Sequence, residues 1–317
     1  MRITNKMMSN SFLTDMNNNL QNLDRIRQQL TTGKNFSKPS HDPAGVIRSM
    51  QLYTGIDANK QYNKNISNVI NWLDVTDTAL GQIGDQLQKI RDKLNEAGNP
   101  GFGETERKAL KDEVNGIIGS LSQTLNTNFD GKYIFSGTRV TGKPTAVSKD
   151  GNKNSSIDCI NKDGTKPLKE EEDKQINAKL KTEISEGVVM EYNVTANEIL
   201  DGGVNLKELL DKIVSNLDSD DPDKINELFG DNLGDMDKAL DNVLKIRAEV
   251  GAKQNRMDSA KKMNTETNFN MTEILSGIED IDIVEKNMEY AVLQSVYISS
   301  LQTSAKVLQP TLMDYLR

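Results

Sequence analysis

Apolar residues recur in alternating steps of four and three between residues 62 and 97. The series is Tyr62, Ile66, Val69, Leu73, Thr76, Leu80, Ile83, Leu87, Ile90, Leu94 and Ala97, and only Thr76 departs from apolar character. Five heptads in one register predict a helix whose stripe packs as in a coiled coil. We predict that the aliphatic members from Ile66 to Leu94 form the core of a helical bundle.

The length of this helix follows from its predicted ends. It starts near Pro43 and stops at Ala97, before the turn residues of "GNPG" (98–101). A helix of this length is roughly 80 Å long at about 1.5 Å per residue. A second apolar stripe follows the turn, at Leu110, Val114, Ile117, Leu121 and Leu125. Two matched stripes on either side of a short connection predict an antiparallel helical hairpin.

Weaker helical patterns occupy both ends of the chain. The first helix is predicted from about Thr4 to Thr31, and a long helical segment from about Leu233 towards Val307, with a weak break at 264–270. Asn and Gln flank the first stripe, so most of that helix's stability must come from a partner surface. We call the apolar positions expected to contact such a partner the assembly positions; they are Met8, Phe12, Leu20, Leu23, Ile298, Leu301, Leu308 and Leu312.

The helical period is lost in the middle of the chain. Tyr133, Ile134 and Phe135 favour a strand and are bracketed by glycines, and apolar residues alternate from Val188 to Val194. A short helix is possible near 169–180, and helix returns at 204–217. The next helix is predicted to be capped by Asp221 and to start at Pro222. This part predicts a small, mostly β domain.

Together the patterns predict a mainly α fold. A long antiparallel helical bundle or coiled coil is formed by the N- and C-terminal halves, and the small β domain is inserted between them. The predicted parts are an N-terminal helix over 1–40, a helical hairpin of a rod over 41–131, an inserted β-rich domain over 132–203, return helices of the rod over 204–268, and a C-terminal helix over 269–317. The two terminal helices are expected to pair.

The stretch "KPSHDPAGV" (38–46) contains the chain's only histidine, His41, between a serine and an aspartate. A catalytic triad needs side chains that converge in space, which consecutive residues do not readily achieve. Asp42 is a preferred N-cap and Pro43 fits the first helical position, while Gly33 suits the left-handed position that ends a helix. We interpret Gly33, Asp42 and Pro43 as the cap residues of a hinge between two helices.

Composition excludes several classes of function. The net charge is −8 with a pI near 5.0, and no basic cluster is present, which argues against nucleic-acid binding. Apolar residues make up 35%, which suits a narrow bundle core better than one large globular core. Cys159 is the only cysteine, so no internal disulfide forms, and we expect its thiol to be inert. No catalytic, cofactor or metal site is expected.

Membrane and export signals are likewise absent from the sequence pattern. No run of about 18 apolar residues predicts a membrane span, and the first residues lack the apolar core of a cleaved signal peptide. Composition alone therefore suggests a cytosolic protein, unless export follows a route without a cleaved signal.

Two motifs at opposite ends of the chain resemble those of the bacterial flagellin family. "LTTGKNFSKPSHDPAG" (30–45) is similar to the family's N-terminal signature, although His41 stands where the family usually has aspartate. "IRAEVGAKQNRMDS" (246–259) is similar to the matching C-terminal motif, and both "MRIT" and "LQPTLMDYLR" (308–317) fit as well. The resemblance covers roughly residues 1–140 and 200–317.

The resemblance implies a secreted structural subunit of the bacterial flagellum, without catalysis or a cofactor. Two kinds of member fit: the filament subunit, and the subunit that joins hook to filament and templates flagellin assembly. "FDGKYIFSG" (129–137) and the ending "LMDYLR" look more like the junction subunit. A cytosolic coiled-coil scaffold is the alternative of another class; the heptads fit it, but the inserted domain and the two motifs do not.

Partners and location follow from the same resemblance. It implies further copies of the chain in a ring or tube, a neighbouring hook-associated protein and flagellin, and a flagellar export chaperone. It also implies secretion through the flagellar export apparatus without a cleaved signal peptide, and an extracellular place in the flagellum.

Overall fold

The computed structural model describes residues 5–97, 103–151, 153–219 and 221–307. The chain divides into two compact units: unit 1 comprises Met1–Asn59 and Glu266–Arg317, and unit 2 comprises Lys60–Thr265. The helices are α1 (Asn5–Thr32), α2 (Pro43–Ala97), α3 (Glu104–Leu125), α4 (Glu170–Asn177), α5 (Ala196–Leu200), α6 (Leu206–Leu217), α7 (Pro222–Phe229), α8 (Asp231–Glu279) and α9 (Ile283–Val307). The strands are β1 (Asn128–Phe129), β2 (Lys132–Tyr133), β3 (Thr145–Lys149), β4 (Ser155–Cys159), β5 (Lys181–Ser185) and β6 (Val188–Glu191). The prediction of a mainly α fold with a small strand-containing middle region is confirmed.

The core of unit 2 is built on the heptad stripe of α2. Thr76, the polar exception in the stripe, is buried too, and its hydroxyl donates to the carbonyl of Trp72 at 2.8 Å. This bond satisfies the hydroxyl inside the helix, so the stripe continues through the position. The buried side chains of the α3 stripe are Leu110, Val114, Ile118, Leu121 and Leu125. Ile118 therefore takes the buried place that we predicted for Ile117, which is only partly buried.

Side-chain pairs fix the direction in which α3 and α8 run beside α2 within unit 2. Lys93 pairs with Glu113 at 3.1 Å, while Gln86 donates to Thr124 further along α3. Likewise, Arg247 of α8 pairs with Asp77 at 2.7 Å and Arg91 pairs with Asp237 at 2.6 Å. Higher numbers on α2 meet lower numbers on its partners in both cases, so both helices are antiparallel to α2.

The inserted region holds three antiparallel two-stranded sheets, β1–β2, β3–β4 and β5–β6. The strand predicted at Tyr133–Phe135 is only partly correct, because β2 stops at Tyr133 and its partner β1 comes before it. Asp130 and Gly131, at φ 50° and 75°, make the tight turn between β1 and β2. Ile134 and Phe135 instead turn inward and are buried in the core of unit 2.

The β5–β6 hairpin is held by amides from two helices. Asn65 of α2 donates to the carbonyl of Glu183 at 3.2 Å, and Asn264 of α8 donates to the carbonyl of Ile184 at 2.9 Å. Beside the hairpin, Trp72 lies edge-to-face with Phe129 and Tyr192, with ring centroids about 6 Å apart. The hairpin is thereby attached to the bundle by polar as well as aromatic contacts.

Short helices return the chain to the bundle, and each has a polar N-cap. Asn205 caps α6 by accepting from the N–H of Glu208, and Thr195 forms a capping box with Glu198 on α5. Asp221 caps α7, which begins at Pro222, as the sequence predicted.

The predicted weak break at 264–270 is wrong. Helix α8 runs through those residues without interruption, since Asn264 directs its amide to the β5–β6 hairpin rather than to its own backbone. The break lies at 280–282 instead. There, Asp282 caps α9 by accepting from the N–H groups of Val284 and Glu285.

Candidate assembly site

Helices α1 and α9 pack against each other within unit 1. Their less exposed side chains recur in steps of three and four, as expected for a two-helix seam. On α1 these are Ser9, Phe12, Met16, Asn19, Leu23, Ile26 and Leu30, and on α9 they include Tyr290, Leu293, Tyr297, Ser300 and Ser304. Ile26 is the one fully buried side chain among the described residues of the two helices. The pair therefore buries little apolar surface of its own.

A second apolar surface on α9 stays exposed. We call it the open face; it consists of Val284, Met288, Val292, Val296, Ile298 and Leu301. Val292 is 62% exposed and Ile298 is 48% exposed. Because exposed aliphatic side chains cost solvation free energy, the open face is a candidate for contact with another chain.

The predicted assembly positions fall on both surfaces. Phe12 and Leu23 lie on the seam between α1 and α9, whereas Met8 and Leu20 are 46% and 40% exposed. Ile298 and Leu301 belong to the open face, not to the seam. Leu308 and Leu312 lie outside the described residues.

The linker between α1 and α2 (33–42) meets the linker between α8 and α9 (280–282). Ile281 donates its backbone N–H to the carbonyl of Gly33 at 3.1 Å, and Asn35 donates to the carbonyl of Glu279 at 2.6 Å. Lys34 and Asp280 form an antiparallel bridge between these bonds. The Asn35 amide also donates to the carbonyl of Asp280. The backbones of the two linkers are thus directly joined.

A buried carboxylate lies under this bridge. Glu279 accepts from the Lys34 ammonium at 2.6 Å and from the Tyr53 hydroxyl at 2.7 Å, both through Oε2. Burial favours the neutral acid, but these two hydrogen bonds and the Lys34 charge outweigh it and hold the pKa of Glu279 below its ordinary value. The same hydrogen bond raises the pKa of Lys34. The Lys34 ammonium also lies 5.8 Å from the centre of the Tyr53 ring.

The predicted cap residues lie at the two ends of the longer linker. Gly33 has φ +72°, and its N–H donates to Gln29 at the end of α1. Asp42 accepts from the N–H of Gly45 at 3.0 Å in the first turn of α2, and Pro43 is the first residue of that helix. His41 is exposed, and its N–H donates to the carbonyl of Lys38. Its imidazole makes no hydrogen bond among the described residues.

The predicted core positions lie together in unit 2. Ile66, Val69, Leu73, Leu80, Ile83, Leu87, Ile90 and Leu94 are all buried in one cluster. Sequence reasoning missed Glu279, Tyr53 and Lys34. No local signal in the sequence points to them, because Lys34 and Tyr53 are separated from Glu279 by 245 and 226 residues.

Other chemistry-bearing groups are few. No group of three or more His, Cys, Asp or Glu side chains within the described ranges is arranged to hold a metal ion. Burial, with Asp201 and Asp173 nearby, raises the pKa of the Cys159 thiol to about 11, so it is protonated at neutral pH. Among the helices described, none combines the length and apolar character needed to cross a membrane.

Comparison with known proteins identifies the family. The family model for the bacterial flagellin N-terminal helical region matches residues 3–140, and that for the bacterial flagellin C-terminal helical region matches residues 233–316. Together they cover more than half of the chain. The chain belongs to the flagellin family. Both linkers, and the described parts of α1 and α9, fall inside the regions that define the flagellin family.

Individual members of the flagellin family align along nearly the whole chain. Flagellar hook-associated protein 3 of Escherichia coli (strain K12) is 24% identical over 312 residues, covering 94% of this chain and 95% of that protein. The flagellin of Bacillus subtilis (strain 168) is 23% identical over 295 residues, covering 92% and 90%. Among solved structures, the flagellar junction protein of Legionella pneumophila has a similar fold, with a TM-score of 0.54 at 14% identity, covering 75% of this chain and all of that one.

Proposed function

We propose that this protein is the structural subunit at the junction between the flagellar hook and filament, where it templates the assembly of flagellin. The observation that carries the proposal is the open face of α9 in a chain that aligns from end to end with hook-associated protein 3. Since α1 covers only one side of α9, the other side is available to a neighbouring subunit. The role is structural, and no catalytic step or cofactor is part of it.

The partners belong to the same proposal. Copies of the chain assemble into a ring or tube, with the α1–α9 pair as the main contact between them. A hook-associated protein lies on one side and flagellin on the other. A flagellar export chaperone holds the chain before secretion through the flagellar export apparatus, which needs no cleaved signal peptide. The mature subunit is then extracellular.

The parts predicted from the sequence have roles in this assembly. Residues 1–40 and 269–317 are the assembly helices, 41–131 and 204–268 build the rod, and 132–203 form the outer domain. The described residues support the pairing of the two assembly helices through the contact between α1 and α9.

The first experiment is deletion of the gene, followed by electron microscopy and analysis of the culture medium. A strain without the junction subunit should make hooks, lack filaments and release unpolymerised flagellin. A strain that instead lacks secreted flagellin would support the second candidate, filament flagellin, which the alignment with the Bacillus subtilis protein favours. Unchanged filaments and motility would contradict both, and retention of the protein in the cytosol would favour an intracellular scaffold.

The second experiment complements the deletion strain with Val292→Asp, which places a charge on the open face. We expect the variant to be exported but to leave the cells without filaments. The matched control is Val189→Asp on β6, where the valine is similarly exposed, at 57% against 62%. The control should restore filaments. Retention of Val292→Asp inside the cell would show that the variant is defective in folding or export, and not in assembly.

A further inference from the structure

The turn between β3 and β4 holds an aspartate close to the backbone nitrogen of the next residue. Two backbone hydrogen bonds close the turn: Asp150 donates to Asn154 at 2.9 Å, and Lys153 donates to Asp150 at 2.8 Å. Within it, the N–H of Gly151 donates to Oδ1 of Asp150 at 2.8 Å. The side chain is therefore folded back over its own peptide bond, and both residues are exposed.

This arrangement brings together the two atoms that react in a known rearrangement of aspartyl peptides. The backbone nitrogen of the following residue is the nucleophile, and the side-chain carbon Cγ is the electrophile. Because Cγ is bonded directly to Oδ1, it lies roughly 3–3.5 Å from the Gly151 nitrogen, a separation from which a bond can form once the peptide plane rotates and directs the nitrogen lone pair, instead of the N–H, at Cγ. Glycine adds no side chain to obstruct the approach, and a Cβ built at Gly151 would meet no atom within 4 Å.

The chain contains three other Asp-Gly pairs, and their geometry differs. The N–H of Gly131 donates to the side chain of Asn128 at 2.9 Å, and that of Gly164 donates to the carbonyl of Asn161 at 2.8 Å. Both nitrogens are thus directed away from the preceding aspartate. At Gly202 the backbone is packed, since an added Cβ would lie 2.0 Å from the Asn242 amide nitrogen. Sequence alone ranks the four pairs equally, whereas the structure does not.

We propose that Asp150 is a site of spontaneous modification, at which the Asp150–Gly151 linkage isomerises to isoaspartate. The Gly151 nitrogen forms a bond to Cγ of the neutral carboxylic acid, the bond from Cγ to its hydroxyl oxygen breaks, and the amide proton leaves with that hydroxyl as water. The product is a five-membered succinimide. Water then adds to one of its two carbonyl carbons: opening at Cγ restores aspartate, and opening at the main-chain carbon gives isoaspartate. No oxidant or co-reactant is needed.

The product differs from aspartate in shape and in chemical class. The main chain now passes through Cβ and Cγ, so the β3–β4 turn is longer by one carbon atom, and the α-carboxylate becomes a side branch. An isoaspartyl methyltransferase recognises this branch and transfers a methyl group to it from S-adenosylmethionine. That enzyme therefore serves as a reagent that counts modified sites.

The test ages the folded, full-length protein at neutral pH for several weeks. Proteolytic peptides are analysed by mass spectrometry with electron-transfer fragmentation, which distinguishes isoaspartate from aspartate, and total isoaspartate is measured by enzymatic methylation. We expect isoaspartate to form at Asp150 about tenfold faster than at Asp130 or Asp163, a small part of the advantage that fixed proximity provides. In concentrated urea the three rates should converge, because the geometry is lost.

Two variants test the chemistry of the step, while the comparison in urea tests the geometry. Gly151→Ala should slow the reaction while the melting curve stays unchanged, since the added methyl group meets no neighbour. Asp150→Glu should abolish the signal at this turn, because ring closure then requires a six-membered imide. Equal rates at the three sites in the folded protein would overturn the proposal. So would a preference for Asp150 that persists in urea, or a Gly151→Ala protein that ages at the original rate.

Discussion

At the scale of single residues, the most informative group is the buried Glu279 carboxylate. Its two partners, Lys34 and Tyr53, come from the other end of the chain, and Lys34 is 245 residues away. A buried carboxylate is tolerated only when hydrogen bonds replace its hydration, and here they do. No local pattern in the sequence could reveal these contacts, because each of the three side chains is of a type that exposed helical segments usually contain.

The lowered pKa of Glu279 has a consequence for pH dependence. A carboxyl whose pKa is depressed on folding stabilises the fold above its ordinary pKa, and that contribution is lost as the pH falls through the folded value. We expect Glu279→Gln to destabilise the protein at neutral pH by about 1–2 kcal/mol, and the difference to shrink below about pH 4. Urea unfolding followed by circular dichroism measures it. The control is Glu273→Gln, at an exposed position of the same helix, which should change the free energy of unfolding at neutral pH by less than about 0.5 kcal/mol.

The cap of α2 gives a second prediction at this scale. Asp42→Ala removes the acceptor for the N–H of Gly45 and should cost about 1 kcal/mol. His41→Asn should be nearly neutral, since the imidazole is exposed and makes no hydrogen bond among the described residues. Thermal melting of both variants checks this. A larger loss for His41→Asn than for Asp42→Ala would contradict the assignment of the cap.

Among the helices and strands, the sequence predicts an element's bounds where local residues decide them, and it does not predict them where distant contacts decide them. The bounds of α2 follow from heptads, a capping aspartate and the glycine and proline residues that follow Ala97 in the sequence, all of which are local signals. The break at 280–282 could not be located in the same way, because Asp280, Ile281 and Asp282 include neither glycine nor proline. What ends α8 there is backbone pairing with Gly33 and Asn35, which the sequence does not display.

The inserted region likewise contains one feature that the local sequence indicates and one that distant contacts decide. Asp130 and Gly131 are a strong hairpin signal in the sequence, and they form the turn between β1 and β2. The strand nevertheless lies earlier in the chain than predicted, because Ile134 and Phe135, which are strand formers, are buried in the core of unit 2 instead. Burial in tertiary structure outweighed their β-propensity.

Substitution in the α2 stripe tests the packing of that element. Leu80 is completely buried in unit 2, so Leu80→Ala should cost about 2–5 kcal/mol. Leu80→Asp should prevent folding of unit 2 altogether, because it buries an unpaired carboxylate. The matched control is Gln82→Ala, an exposed position two residues later in the same helix. Denaturant unfolding should show less than about 0.5 kcal/mol of change for that control.

At the scale of the whole molecule, the two units differ in how well their side chains are buried. The core of unit 2 contains many fully buried aliphatic residues from α2, α3, α6 and α8. In unit 1 a small cluster of Leu52, Ile56 and Leu275 is buried, and the α1–α9 pair adds Ile26. The stability of the monomer therefore resides mainly in unit 2, while unit 1 has the most to gain from neighbouring subunits.

Limited proteolysis of the purified monomer should reveal this difference. Because local opening requires least free energy where few side chains are buried, we expect cleavage to remove the first 30–40 and last 40 residues, roughly, and to leave a resistant core. Mass spectrometry of the fragments identifies the sites. Rapid cleavage between residues 62 and 97, with both ends intact, would show the opposite distribution of stability.

The hydrogen bonds between the two linkers also set an order of events during synthesis. The ribosome makes Lys34 long before Glu279, so the contact closes a loop of 245 of the 317 residues and forms late. Until α9 has emerged, the seam of α1 has no partner within its own chain. Each nascent polypeptide therefore presents its N-terminal helix uncovered to the cytoplasm for nearly the full time of translation.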